Sequence, residues 1–378
     1  MKNKKIVILA LHLGAGGAEK AICNLANILC MENDVTIIST YKLNDLPAFE
    51  INPSVKIEYL LPNLKPNRKE IKSAIKNAKI FTLAKESLKS LKILYLRKKT
   101  MVEKIKELDC DVIISTRILH NNWVGKYAKN GIIKIAEEHN SHNNNKKYIK
   151  KLIKSLKNID YLMPTSKGLS DFYEGKIGNT KVKFIPNYIE RKTDKVSNLE
   201  NKTIISVGRL EPVKGFDDLI DVFEIFQEKN PDWNLKIIGS GSQKEALKNK
   251  INSLNLQNKV LLLGELNTEK VEEEYINSSI YVMTSHSESL GLVLIEAASA
   301  GLPLFAFDSC DGPKEIIQSG ENGYLIPNRD KKQMAEKIAK TIENKPEMQR
   351  LSNNAKKILE KYSKEKVQKE WSEFLENL

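Results

Sequence analysis

At 378 residues, with 41% hydrophobic and 29% charged side chains, the chain is long enough for two ordinary domains and too apolar to be a disordered tail. Four cysteines, Cys23, Cys30, Cys110 and Cys310, contain no Cys-x-x-Cys pair, which excludes a disulfide framework and points to a reducing, cytosolic compartment. The net charge of +13 is uneven: residues 1–187 carry 34 Lys and Arg against 17 Asp and Glu, while 188–378 carry 27 against 31, so the first half should meet something anionic.

The start, MKNKKIVILALHLGAGGA, has the outline of a secretory leader, but its apolar run is short and contains His12. It predicts instead a strand, Ile6–Leu11, running into the loop Leu13-Gly14-Ala15-Gly16-Gly17-Ala18-Glu19-Lys20. That loop is no dinucleotide fingerprint, since the third glycine would fall at Glu19, and no P-loop, since no Gly-Lys-Ser/Thr follows. Glycines between a strand and a helix let backbone amides approach a ligand; they also make plain tight turns. Further buried strands are predicted at Val35–Thr40, Val112–Ser115, Ile132–Ala136 and Tyr161–Thr165.

Between Val35–Thr40 and Val112–Ser115 lies Lys65–Lys106, with 14 Lys and Arg against three Glu. Phe81, Leu88, Leu91 and Tyr95 recur at near-helical spacing, with Lys85, Lys89 and Lys92 on another face. A basic amphipathic helix suits an anionic membrane, and equally a solvated lysine face on an ordinary helix. Asp109-Cys110-Asp111 has the Asp-x-Asp form that holds a metal in some sugar transferases, but it precedes a strand and so lies at the wrong edge of a sheet for a ligand; no metal is predicted. His139, in Glu137-Glu138-His139-Asn140, follows a strand and should face a cleft; His142 reads as a loop residue, and His120 stays open.

A boundary falls near Ile185-Pro186-Asn187-Tyr188, followed by the polar linker ERKTDKVSNLENK. A second set of strands follows at Ile204–Gly208, Leu235–Gly239, Val260–Leu263, Ile280–Thr284 and Leu304–Phe307. Ten apolar strands separated by helices predict an α/β chain of two doubly wound, Rossmann-like parallel sheets of five strands each. Arg209 and Lys214 sit on the loop after the strand Ile204–Gly208, where a guanidinium fork and an ammonium can converge on a diphosphate. After the strand Ile280–Thr284 the chain reads Ser285-His286-Ser287-Glu288-Ser289-Leu290-Gly291, then a helix to Gly301 that carries Glu296; Gly301 and Pro303 also rule out a membrane span there. Helix amides near Ser289, Leu290 and Gly291 can take phosphate oxygens. Glu288 and Glu296 can accept bonds from sugar hydroxyls; the alternative is a pair of internal salt bridges. The tail from Pro346 to Leu378 reads as helix throughout.

Gly16-Gly17-Ala18-Glu19, Glu138-His139, Ile185-Pro186-Asn187, Gly208-Arg209…Lys214-Gly215, Glu288-x7-Glu296-Ala297…Gly301-Leu302-Pro303, Gly312-Pro313-Lys314-Glu315-Ile316-Ile317 and Gly320-x-x-Gly323 stand in this order. Together they resemble the retaining glycosyltransferases of family 4, with two Rossmann domains facing across a cleft (the GT-B architecture). The resemblance covers nearly the whole chain, and the Arg/Lys pair with Glu-x7-Glu is its specific part. It implies an acceptor-binding domain over 1–187, a donor-binding domain over 188–361, and a last helix, about 362–378, packing back on the first. It implies that Arg209 and Lys214 hold the nucleotide diphosphate, Glu296 the ribose and Glu288 the donor sugar. Amides near Gly16, Gly17, Ser289, Leu290 and Gly291 would complete the phosphate cradle, and His139 would touch the sugar beside the reaction centre. The donor would be a nucleotide sugar, a UDP-sugar by resemblance; no metal and no other cofactor would be needed. Ser289 departs from the glycine common at its position.

The basic first half suits a glycan acceptor, lipid-linked and met at the cytoplasmic inner face of the membrane, as in bacterial surface polysaccharide or glycoconjugate assembly. Salt-sensitive peripheral association is expected. Two rivals share parts of the pattern: a nucleotide-sugar epimerase on the same fold, and a nucleic-acid binder. The basic half lacks the interleaved aromatics that base stacking needs, so no nucleic acid is predicted as partner.

Overall fold

The computed structural model describes residues 3–378; Met1 and Lys2 of the lysine-bearing start, and the side chains of Arg68 and Lys69 in the basic segment, lie outside the described residues. A first sheet is built from β1 (Lys5–Ala10), β2 (Asp34–Tyr41), β3 (Lys56–Leu61), β4 (Val112–Ser115), β5 (Ile133–Glu138), β6 (Tyr161–Pro164) and β7 (Lys181–Val182). A second is built from β8 (Thr203–Val207), β9 (Asn234–Ile238), β10 (Val260–Gly264), β11 (Ile280–Met283), β12 (Leu304–Phe307) and β13 (Gly323–Ile326). Their orders are β3-β2-β1-β4-β5-β6-β7 and β10-β9-β8-β11-β12-β13, and every pairing is parallel. Both sheets are doubly wound, as expected.

The ten expected strands are all present, but the sheets have seven and six strands, not five each. The three additional strands, β3, β7 and β13, all lie at sheet edges. None of β3 is fully buried, β7 has two residues, and β13 opens on Gly323 and buries only its ends. Short or only partly buried, they escape a search for buried strands. One helical expectation is also corrected. The tail is three helices, Lys345–Lys356, Leu359–Tyr362 and Lys364–Glu376, because Ser363 leaves helical conformation (ψ 153°) and its hydroxyl caps the last one. In the basic segment the helix expected to carry Phe81, Leu88, Leu91 and Tyr95 is present as Ile80–Glu107, and a shorter helix, Arg68–Lys76, precedes it, parted around Ala78 at φ 49°.

Each sheet is covered on both faces, which is why its strands read as unbroken apolar runs. Val367, Trp371, Phe374 and Leu375 of the last helix join Ile6, Ile22 and Leu25 in one core of the first sheet. Tyr188 belongs to that same core and Ile189 to a core of the second sheet, so the chain changes core between adjacent residues. Among the described residues no helix is long and apolar enough to cross a membrane.

Candidate active site

In each sheet the strand order reverses beside one strand, between β1 and β4 in the first and between β8 and β11 in the second. Ligands of open parallel sheets bind beyond the carboxyl ends at such points. The glycine loop leaves β1, the Arg209–Lys214 loop leaves β8, and the Ser285–Gly291 loop leaves β11. Winding order alone therefore delivers these three loops to the switch points.

The helices behind these loops share a further property. Six helix starts use a side chain to satisfy a free amide, through Asn145, Ser166, Asn267, Asp330, Asn344 and Ser363. Gly16, Gly215 and Gly291 precede the helices Gly17–Leu29, Phe216–Gln227 and Leu292–Ser299, and none makes a side-chain cap. Among the described residues these are the only glycine N-caps, and they head the helices that follow the three loops. Their leading amides stay available for an anion.

Two of the loops are interlocked. Gly215 has φ 63°, and a Cβ on it would lie 2.2 Å from the Thr284 carbonyl oxygen, so only glycine lets the two loops touch. The Thr284 hydroxyl donates to the Gly215 carbonyl at 2.7 Å, and the His286 amide donates to the Val213 carbonyl at 2.8 Å. Lys214 Nζ then reaches Glu288 Oε1, to which the Ser285 hydroxyl also donates at 2.9 Å. From behind, Gly312 packs on the loop: a Cβ there would lie 3.0 Å from both the Glu288 and Leu290 carbonyl oxygens.

Arg209 is exposed, and among the described residues its guanidinium holds no ion pair or hydrogen bond. It lies close enough to His12, across the cleft, to act on that imidazole. Burial, ahead of the nearby charges, holds His12 below its ordinary pKa; Arg117 and Arg209 add to this and Glu19 opposes it. His12 Nδ1 accepts from the Gly14 amide at 3.3 Å.

Glu296 is paired from both sides. Its Oε1 takes Lys20 Nζ at 2.5 Å, from the first turn of Gly17–Leu29, and its Oε2 takes the buried Tyr275 hydroxyl at 3.3 Å. Three more bonds cross the cleft to the loop before that helix: the Ser289 hydroxyl donates to the His139 carbonyl at 2.7 Å, Asn143 Nδ2 donates to Ser287 Oγ at 2.6 Å, and the Ser287 hydroxyl donates to Asn143 Oδ1 at 2.9 Å. His139 thus stands at the cleft through its backbone. Its ring is turned inward, with Nε2 3.1 Å from Glu137 Oε2 but off the line of a hydrogen bond.

The structure thus brings Lys214, Glu288, Ser289 and Gly291 together, with Glu296 reached from the first domain by Lys20. Asp109 and Asp111 are at the opposite, amino edge, held by Lys5 Nζ at 2.9 Å and by the Lys5 amide at 2.7 Å. His142 is buried under Phe172, with ring centroids 4.1 Å apart. His120 is fully buried, and desolvation pushes its pKa down to about 3.

Several participants were not legible as such. Glu19 is buried and bonded by Arg117 at 2.5 Å, 98 residues away, which fixes the first turn behind the glycine loop. Arg329 donates to the Thr284 carbonyl at 2.6 Å, the Ser285 carbonyl at 3.0 Å and Asp218 at 2.8 Å, and lies over the Phe307 ring. It clamps the end of β11 from which Glu288 departs. Glu19 is visible in the loop motif; nothing in the pattern marks Lys20, Tyr275 or Arg329.

Comparison with known proteins agrees with this geometry. A sequence profile of the glycosyl transferases group 1 family matches residues 189–358. An uncharacterized glycosyltransferase of Haemophilus influenzae is 30% identical over 380 residues, spanning 98% of this chain and 100% of its own length. The poly(glycerol-phosphate) alpha-glucosyltransferase of Bacillus subtilis is 28% identical over 62% of this chain, which spans 36% of that longer protein. Among solved structures, the Staphylococcus aureus TarM G117R mutant with fondaparinux, alpha-GlcNAc-glycerol and UDP superposes with a TM-score of 0.80 at 17% identity, over 99% of each chain. Anabaena HepE with UDP and glucose gives 0.75 at 17% identity, over 99% of this chain and 100% of its own. At that identity the two structures speak for the shared fold. With the near-full-length relative and two facing doubly wound sheets, the chain belongs to the glycosyltransferases and has the GT-B fold, with the group 1 profile marking residues 189–358.

Proposed function

We propose that the chain is a retaining, metal-independent hexosyltransferase that moves a sugar from a UDP-sugar to a glycan acceptor, lipid-linked, in bacterial surface polysaccharide or glycoconjugate assembly. Residues 1–187, with the last helix, serve the acceptor; residues 188–361 serve the donor. The observation that carries this reading is the meeting of Lys214 and Glu288 between glycine-capped helix starts, beside an unpaired Arg209. As the sugar departs with oxocarbenium character, negative charge grows on the diphosphate. Arg209, Lys214 and the amides at Gly16, Gly17, Ser289, Leu290 and Gly291 are disposed to meet it, and each lost donor of this kind costs about 3 kcal/mol of barrier. Glu296 takes the ribose hydroxyls, displacing Lys20. Glu288 takes the sugar, and His139 joins it by turning its ring away from Glu137. Attack comes from the leaving-group face, with the leaving phosphate as base.

The names of the relatives support the acceptor class: the B. subtilis relative acts on poly(glycerol-phosphate), and a Staphylococcus aureus relative, 34% identical over 45% of this chain, on poly(ribitol-phosphate). An anionic membrane surface at the cytoplasmic face is the matching location. A donor screen that follows nucleotide release with and without membrane extract tests the reading. Acceptor-dependent release, and a product anomer matching the donor by NMR, are expected. Isomerisation of the donor without release would make the protein an epimerase and overturn it.

A further inference from the structure

The helix Ile80–Glu107 is out of proportion to the sheet it covers. Its 28 residues span about 42 Å, whereas β3 and β4, which it connects, have six and four residues and span at most about 20 Å. A crossover helix runs back against its strands, and this one ends at Glu107, just before β4 begins. Its first half therefore overhangs the carboxyl edge of the sheet, the edge that carries the cleft loops. Burial follows this division. Ile93, Met101 and Ile105 are buried, while Ile80, Phe81, Leu88, Leu91 and Tyr95 are 77%, 93%, 69%, 64% and 64% exposed.

The overhang is held in place. Asn67, at the start of the preceding helix, donates through Nδ2 to the Glu86 carbonyl at 2.7 Å and to its Oε2 at 2.8 Å. The helical pair also reaches the donor-side loop. Glu211, between Arg209 and Lys214, is held below its usual pKa first by bonds from Ser242 and then by the Arg209 and Lys72 charges. Lys72, on the shorter helix, is thus near enough to that loop for its charge to act on Glu211.

Phe81, Leu88, Leu91 and Tyr95 lie along one stripe, and Lys85, Lys92 and Lys99, each four residues after Phe81, Leu88 or Tyr95, border that stripe rather than occupying another face, all exposed. An exposed apolar stripe rimmed by charge is a binding surface. The charge selects the occupant. A second copy would bring lysines against lysines, whereas anionic headgroups neutralise them while the stripe enters the acyl boundary. We propose that this overhanging helix seats the protein on an anionic bilayer, with Phe81, Leu88, Leu91 and Tyr95 inserted and the lysines on lipid phosphates, so that the cleft mouth opens against the membrane surface. The purpose of this seat rests on the lipid-linked acceptor; its existence does not. It goes beyond charge attraction, because insertion leaves a bound fraction that salt does not remove.

Flotation of the full chain with phosphatidylcholine vesicles, alone or doped with phosphatidylglycerol, tests it without nucleotide or acceptor. Recovery is expected with doped vesicles only, and part of it should survive salt added after binding. The variant Phe81→Ser/Leu88→Ser/Leu91→Ser/Tyr95→Ser should lose about tenfold in vesicle affinity and all of the salt-resistant fraction. Its UDP binding should be unchanged, which shows an intact fold and keeps this test separate from that of the donor site. Absence of flotation with doped vesicles, equal flotation of the serine variant, or a homodimer in gel filtration that the serine variant dissolves would each overturn the proposal.

Discussion

Lys20 and Glu296 meet across the cleft, Nζ to Oε1 at 2.5 Å, from helices belonging to different sheets. The pair is mostly enclosed, with side chains 20% and 16% exposed. Part-buried ion pairs of this kind are worth on the order of 1 kcal/mol. If ribose hydroxyls take Glu296, they do so in competition with Lys20. Lys20→Met should therefore bind UDP more tightly, by about fivefold for 1 kcal/mol, in isothermal titration. Weaker binding would mean that Lys20 itself holds the nucleotide.

Gly215→Ala and Gly320→Ala form a matched comparison. Both glycines have positive φ, 63° and 88°, so both variants carry the left-handed penalty of about 1–2 kcal/mol. A Cβ at Gly320 meets nothing within 4 Å, whereas one at Gly215 meets the Thr284 carbonyl oxygen at 2.2 Å. Gly215→Ala should lose more stability in urea denaturation and should also lose donor turnover, because the loops of Lys214 and Glu288 must separate. Gly320→Ala should keep its turnover.

Arg329→Met removes three hydrogen bonds from one guanidinium and leaves Asp218 with His286 at 3.8 Å and Lys331 at 2.6 Å. The loss should be about 2–3 kcal/mol in thermal or chemical unfolding. Because Arg329 holds the end of β11 and touches neither carboxylate of the proposed site, kcat should fall while UDP affinity through Glu296 changes little.

His120 sets an acid limit. Burial lowers its pKa to about 3, from an unfolded value near 6.5. Between those pH values the unfolded chain binds a proton that the folded chain refuses, so stability falls as pH falls. The slope is up to about 1.4 kcal/mol per pH unit for this one group. His120→Phe keeps a ring beside Trp123 and removes the titration; its denaturation midpoint should vary less between pH 6.5 and 4 than that of the parent.

What the sequence shows of this protein depends on how local each feature is. A strand such as Ile280-Tyr281-Val282-Met283 is a local apolar run, and all ten of that kind were legible, the partly exposed edge strand Val260–Gly264 among them. The other three edge strands, such as the half-wet Lys56–Leu61, were not. The donor-side loops were legible because each follows its strand directly, so Arg209, Lys214 and Glu288 could be placed at one edge by chain order alone. Their partners were not. Lys20 lies 276 residues from Glu296 and Arg329 lies 111 from Asp218, and such pairings exist only after both sheets and the cleft have formed. The inward turn of His139 was hidden for the same reason: its position after β5 is local, but its ring orientation depends on Glu137 and on the packing around both.

The most direct measurement is a crystal structure grown with UDP. The account predicts the diphosphate between Arg209, Lys214 and the amides at Gly16, Gly17, Ser289, Leu290 and Gly291, with the ribose on Glu296 in place of Lys20. A nucleotide bound elsewhere, or bound with Glu296 still on Lys20 and Glu288 still on Lys214, would contradict it.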